Sequence, residues 1–213
     1  MQSLATNEKE LVNKAEEAKK IGAVYKLLSK VFIREVDAQF LRELRTECFY
    51  ETLKDAGIDF GDEFINQNER ELLENLAVEY ARLFIVPGCN VYLYESVYTN
   101  SAKMLYGESA QQVYDFYQRC GMSVVDERLM PDHIGLELEL MSYLKQKEAK
   151  ALENGKQDAS KWLELQNEFM TAHPGRWAVQ FFEAVEKEAE HPFYRKMTKL
   201  GRQLVKLEGE GLV

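Results

Sequence analysis

Cysteine is scarce in this chain. Cys48, Cys89 and Cys120 are its three cysteines, and no C-x-x-C pair occurs. That excludes the usual signatures of a structural zinc site and of a disulfide framework, and it predicts reduced, partly buried thiols. Proline is scarce too, with four in 213 residues, so long stretches are free to run as helix. No apolar run approaches the roughly 20 residues of a membrane span. The opening MQSLATNEKELVNKAEEAKK holds no apolar signal-peptide core, which predicts a cytoplasmic chain. Positive charge is outnumbered, 27 Lys and Arg against 36 Asp and Glu, for a net charge of −9. The basic footprint that nucleic acid requires is therefore missing. An acidic surface keeps a protein soluble and can attract a basic peptide. The phosphate loop G-x-x-x-x-G-K-[ST], the dinucleotide motif G-x-G-x-x-G, the nucleophile elbow G-x-S-x-G and the zinc-protease H-E-x-x-H are all absent.

What the chain has is helical periodicity. Hydrophobic residues make up 46% and charged residues 30% of it, as in an ordinary globular protein. Ile21, Val24, Tyr25, Leu28, Val31 and Phe32 recur at steps of three and four within a helix expected over 15–32. The same pattern predicts helices over 36–53 and 68–86, the latter carrying Leu72, Leu76, Tyr80, Leu83 and Phe84. Pro87-Gly88 stops that helix, and Gly57 and Gly61 mark a turn before it. Further helices are expected over 108–120, 131–153, 159–172, 174–189 and 193–207. No segment reads convincingly as a strand. The expectation is an all-α, single-domain bundle of about eight to ten helices spanning 1–213, with frayed ends near 1–12 and 208–213.

Two segments interrupt this regularity. Residues 89–104 lack helical spacing, and six of the eleven tyrosines fall between Tyr92 and Tyr117. Ordered aromatic loops on a rigid scaffold commonly bind partners, and tyrosine suits peptide recognition. The other segment is MPDHIGLELELMSYL at 130–144. Pro131 and Asp132 suit a sharp helix start, with Asp132 accepting bonds from orphan amides there. His133, just inside that start, titrates near neutral pH. The polar pair is either a structural cap or the floor of a binding site. His133 and Glu137, four apart, share a helix face that a metal could bridge. Glu137 and Glu139, two apart, face different directions and read as a solvated or capping pair. His173 and His191 each precede or flank a proline at a helix junction, where capping or packing is the usual role.

EYARLF at 79–84, YESVY at 94–98, PDHIGLELELMSYL at 131–144, FMTAHPGRWAVQFFEAV at 169–185 and PFYRKMTKLGRQL at 192–204 come in a telling order. Together they resemble the TorD/DmsD/NarJ-type family of redox-enzyme maturation chaperones, over roughly residues 20–205. The resemblance implies an all-helical, non-enzymatic cytoplasmic chaperone with no cofactor of its own. Its partners would be the twin-arginine signal peptide and the apo form of a molybdopterin-dependent oxidoreductase, held for cofactor insertion before export. Peripheral membrane or translocase contact, and a monomer or a dimer, are compatible with it. The family's peptide-binding elements fall here on Tyr80, Leu83 and Phe84, on Tyr94, Glu95, Ser96 and Tyr98, and on Pro131, Asp132 and His133.

Such a peptide presents two arginines and an apolar stretch. Recognition calls for carboxylates beside an apolar groove, with Asp132 and Glu95 as candidate acids at a half-exposed rim. Two such contacts contribute only about 1–3 kcal/mol. Apolar burial, at about 25 cal/mol per Å², must supply most of the affinity. Two other readings compete. One is an assembly chaperone for a membrane-bound, nitrate-reductase-like enzyme whose client is not exported. The other, less favoured, is a metal-dependent hydrolase using His133, Glu137 and Glu139.

Overall fold

A pair of long antiparallel helices, α1 (Gln2–Ile33) and α8 (Ile134–Glu153), forms the spine of the molecule. The computed structural model describes residues 2–89, 91–100, 105, 107–124, 128–155 and 158–210, with side chains from residue 9 onward. The two helices approach closely because small residues stand between them. A Cβ on Gly22 would meet Lys145 at 3.1 Å, and one on Gly135 would lie 2.9 Å from the Ile33 backbone. The Ser142 hydroxyl donates to the Gly22 carbonyl at 2.8 Å. Tyr25, Leu28, Val31 and Phe32 of α1 and Ile134, Leu138, Leu140 and Leu144 of α8 are fully buried. These are the residues the 3.6-residue period picks out. α1 starts well before the expected residue 15 and extends the same helix toward the N-terminus.

The remaining elements pack around this spine. They are α2 (Ala38–Leu44), α3 (Glu47–Asp55), α4 (Asp62–Asn66), α5 (Glu69–Phe84), α6 (Glu95–Thr99), α7 (Glu108–Arg119), α9 (Ala159–Ala172), α10 (Pro174–Glu188) and α11 (Pro192–Glu210). The described residues thus form eleven helices, slightly more than expected. One cause is that the helix expected over 36–53 divides. The Asp37 carboxylate accepts from Phe40 N at 2.8 Å and starts α2. Arg45 then turns away to donate to the carbonyls of Phe64 and Gln67 at 2.7 and 2.8 Å. Thr46 adopts extended backbone and opens α3. The turn at Gly57 and Gly61 is as expected, with φ of 77° and 88° at the two glycines. The short α4 follows it unannounced.

α10 and α11 form a tight hairpin. A Cβ on Gly201 would lie 2.5 Å from the Phe182 ring. The end of α11 does not fray at Glu208, because that carboxylate pairs with Lys145 Nζ at 2.8 Å and both are nearly buried. Residues 211–213 of the expected frayed end lie outside the described residues. The buried apolar side chains form one contiguous cluster that includes Trp177, Phe181, Phe182, Phe193 and Tyr194. Among the described residues there is no strand, only an isolated antiparallel bridge between Tyr94 and His133. None of the described helices is long and apolar enough to cross a membrane. All three cysteines are free, with Cys48 exposed, Cys89 half-buried and Cys120 buried.

Candidate functional site

That isolated bridge joins the tyrosine loop to the start of α8. Glu95 N donates to the Asp132 carbonyl at 2.9 Å, and Ile134 N donates to the Leu93 carbonyl at 2.7 Å. A side-chain bond reinforces the pair: Ser96 N donates to Asp132 Oδ2 at 2.9 Å. Asp132 therefore caps α6, not its own helix. The expected cap role is real, but its recipient lies 36 residues away. The cap of α8 is His133, whose Nδ1 accepts from Gly135 N at 3.0 Å, so the helix begins at Ile134 and not at Pro131. His133 is 1% exposed, with its ring edge-on to Tyr94 at 5.1 Å. Burial holds its pKa down to about 4. The expectation that it titrates near neutrality is thereby overturned: an imidazole shut off from water resists the charge.

Beneath this clip lies a group of buried acids. Glu95, Asp132 and Glu137 are each 0% exposed. The Glu95 carboxylate meets His173 Nδ1 at 2.9 Å, and Glu137 Oε2 accepts from Trp177 Nε1 at 3.0 Å. Burial, and then the charge of Glu95, push the Glu137 carboxyl well above the usual carboxylate range. Asp132 is also raised by burial, although its bonds from Ser96 work against the shift. Neither Asp132 nor Glu95 stands at a half-exposed rim, and Glu137 is no solvated partner of Glu139. Glu139 instead points outward to Lys26, 2.5 Å away. The trio of a metal-dependent hydrolase is likewise not assembled, since His133, Glu137 and Glu139 face three different partners. No group of three or more His, Cys, Asp or Glu among the described residues could hold a metal ion.

The α5 element faces inward. The Tyr80 hydroxyl donates to the Phe32 carbonyl at 3.0 Å, and Leu83 is 1% exposed. Phe84 is half-buried and packs edge-on against Tyr80 at 4.9 Å. An aromatic chain then connects α5 to the clip. Phe84 neighbours Phe181 at 6.3 Å, Phe181 neighbours Tyr98 at 6.4 Å, and Tyr98 lies 5.2 Å from Trp177. Thus the three predicted groups meet through α10, a helix that sequence reasoning did not place at the site. Ser96 is buried, whereas Tyr94, Tyr98 and Pro131 are half-buried.

Two surface features complete the region. A hollow of about 360 Å³ beside Pro131 is lined by Gly107, Ala110, Gln111, Tyr114, Met130 and Pro131. A second, more polar hollow of about 370 Å³ shares Gly107 with it and includes the exposed Glu108. Neither was foreseen, although Tyr114 lies within the tyrosine-rich stretch that signalled it. On the far side of α5, Val78 and Ile85 are 69% and 63% exposed and seven residues apart, a second stripe that the core-facing one masked.

Residues 38–183 match the family model described as nitrate reductase delta subunit. A Shewanella oneidensis protein named chaperone protein TorD is 32% identical over 134 residues, covering 57% of this chain and 62% of that one. The match thus spans less than two thirds of that relative. A Shewanella piezotolerans protein of the same name is 26% identical over 197 residues, covering 84% of this chain and 86% of its own. A crystal structure titled as a putative redox enzyme maturation protein from Archaeoglobus fulgidus superposes with a TM-score of 0.57. At 21% identity over 85% of this chain and 91% of that one, it shows the shared fold.

Proposed function

The chain belongs to the nitrate reductase delta-subunit family, and from that premise we propose that it is a cytoplasmic maturation chaperone, not an enzyme, for a molybdopterin-dependent oxidoreductase. It holds the apo-enzyme for cofactor insertion and binds the precursor's twin-arginine signal peptide before export. Relatives named as TorD chaperones support the chaperone reading. For the peptide, the carrying observation is the clip between residues 93–95 and 132–134, which leaves Tyr94 and Tyr98 half-buried and sets Pro131 in the wall of an open apolar hollow.

The peptide's apolar stretch lies against Pro131, Met130 and Tyr114. One arginine reaches Glu108, the exposed acid of the polar hollow, which follows Gly107, the residue both hollows share. Tyr80, Leu83, Phe84, Glu95, Ser96, Asp132 and His133 act from beneath by fixing that surface. An exposed ion pair contributes about 0.2–1 kcal/mol, so apolar contact carries the affinity. Binding of this kind is reversible, as a chaperone that must release its client requires.

Fluorescence anisotropy with a labelled synthetic twin-arginine peptide tests this. Tyr114→Ala should weaken binding by about tenfold, and Glu108→Gln by about two- to fivefold with a smaller salt dependence. Equal affinity for wild type and a folded Tyr114→Ala, Met130→Ala double variant refutes the placement. A second reading follows from the description of the family model: the client is a nitrate-reductase-like enzyme that is not exported. Co-purification with mass spectrometry separates the two by whether the client carries a twin-arginine leader.

A further inference from the structure

We propose that Glu137 carries a proton which it donates to Glu95, and that this proton latches α6 and the loop before it onto α8. The latch rests on the peptide reading only in that it identifies residues 91–99 as the peptide-facing segment. Its chemistry stands apart from that reading.

Glu95 Oε1, Asp132 Oδ1 and Glu137 Oε1 are buried oxygens with no hydrogen-bond partner in the structure. An ionised carboxylate only accepts, so two facing carboxylates cannot satisfy each other. Glu95 and Glu137 are neighbours in this buried group, close enough for the charge of Glu95 to raise the Glu137 carboxyl. One proton converts Glu137 into a donor and gives both side chains a partner. It also leaves Glu137 Oε2 free to accept from Trp177, as observed. Without that proton, two like charges would face each other out of water, an arrangement that acid pairs avoid by holding one proton.

Apart from His173, which meets Glu95 Oε2 and leaves Glu95 Oε1 and Glu137 Oε1 without a partner, the surroundings among the described residues offer no compensation. Asp132, from the segment before α8, adds a third acid. His133 is committed through Nδ1 to the Gly135 amide, and burial disfavours its charged form. From the α9–α10 junction comes His173, engaged by Glu95. From α7 comes the Tyr117 hydroxyl, which donates to the Leu136 carbonyl. Beyond His173, Glu168 is occupied by Arg119 at the surface. No buried Lys or Arg reaches the acids among the described residues; Lys145, the buried cation of α8, is paired with Glu208.

The mechanical consequence follows from the connections. Glu95 and Ser96 begin α6, a helix of five residues held to α8 by the bonds to Asp132 and by the Leu93–Ile134 bond. When the proton of Glu137 passes to solvent, repulsion between Glu95 and Glu137 acts directly on the first turn of α6. The segment from Val91 to Thr99 is then released, and Asp132 and Glu95 become reachable from outside.

Amide hydrogen exchange on the full-length protein tests the latch without any peptide ligand. Protection of the Glu95, Ser96 and Ile134 amides, corrected for intrinsic exchange, should fall with rising pH, by up to tenfold per pH unit if one proton is lost per opening. In Glu137→Gln, whose amide donates to Glu95 at every pH, the three amides should lose that slope. A flat profile in wild type, or an unchanged slope in the variant, overturns the proposal. Should the variant fail to fold, infrared spectroscopy of wild type decides. A buried protonated-carboxyl band at neutral pH supports the latch, and its absence refutes it. Failure of the peptide assay would leave these readouts untouched.

Discussion

At the residue scale, Trp177 shows how a side chain on a predicted helix, but outside the predicted peptide-binding residues, can hold the site together. Its indole N–H is the donor that Glu137 receives from the protein, and its ring packs on Tyr98. Trp177→Phe keeps most of the ring and removes the donor. We expect a loss of about 1–3 kcal/mol, the cost of leaving a buried polar group unsatisfied, read as a lower urea midpoint at neutral pH with an unchanged slope. A midpoint equal to that of wild type would mean that the bond contributes nothing. The sequence marked Asp132 as a cap and His133 as a partner of Asp132, and both are capping residues. It could not show that Asp132 serves α6, because hydrogen bonds between residues far apart in the chain leave no local pattern. For the same reason Glu137 read as solvated: two glutamates two positions apart look alike until one meets Trp177 and the other Lys26.

At the element scale, the spacing of helices was legible and their closeness was not. Hydrophobic periodicity located the spine because burying one face of a helix demands it. The close approach of α8 to α1 depends on Gly135, which within a helix carries no such signal. Gly135→Ala would place a methyl 2.9 Å from the Ile33 backbone, which cannot move as a flexible side-chain tip can. We expect destabilisation of about 1–3 kcal/mol from overpacking. Gly209→Ala in α11 is the control, since a Cβ there meets nothing within 4 Å. That substitution should stabilise by up to about 1 kcal/mol through helix propensity. Thermal melts of the two variants should therefore move in opposite directions. A Gly135→Ala protein as stable as wild type would show that the helices can part without cost. The division of α2 from α3 has a similar origin. Arg45 reads as a good helix former, and only its bonds to Phe64 and Gln67 turn it away.

At the scale of the whole molecule, the family and the all-helical class were readable because they rest on many weak signals distributed along the chain. The accessibility of the site was not, since burial is a property of the assembled molecule. That burial makes stability depend on pH in two opposed ways. Histidines whose pKa is lowered in the folded state, His133 and His191, leave the unfolded chain with more bound protons. Stability from them is present above the ordinary histidine pKa of about 6.5 and is lost as pH falls, for His133 toward about 4. Glu79 acts in the same direction at lower pH. Burial pushes it up, but Arg82 and the amides of Glu190 and His191 outweigh burial and hold it below its ordinary value. Glu137 and Asp132 work the other way. Their raised values give the folded state more protons, so their contribution declines as pH rises through the interval between the ordinary and the raised value. Below pH about 6.5 the two sets oppose each other. Above it the histidines have finished titrating, and the decline from the raised acids, joined at higher pH by the Cys120 thiol that burial also raises, is no longer opposed. Glu137→Gln isolates the part due to Glu137: the urea midpoint of wild type minus that of the variant should fall as pH rises from the ordinary carboxylate range, with both proteins measured over one pH series. A difference that does not fall would show that Glu137 holds no extra proton in the folded protein.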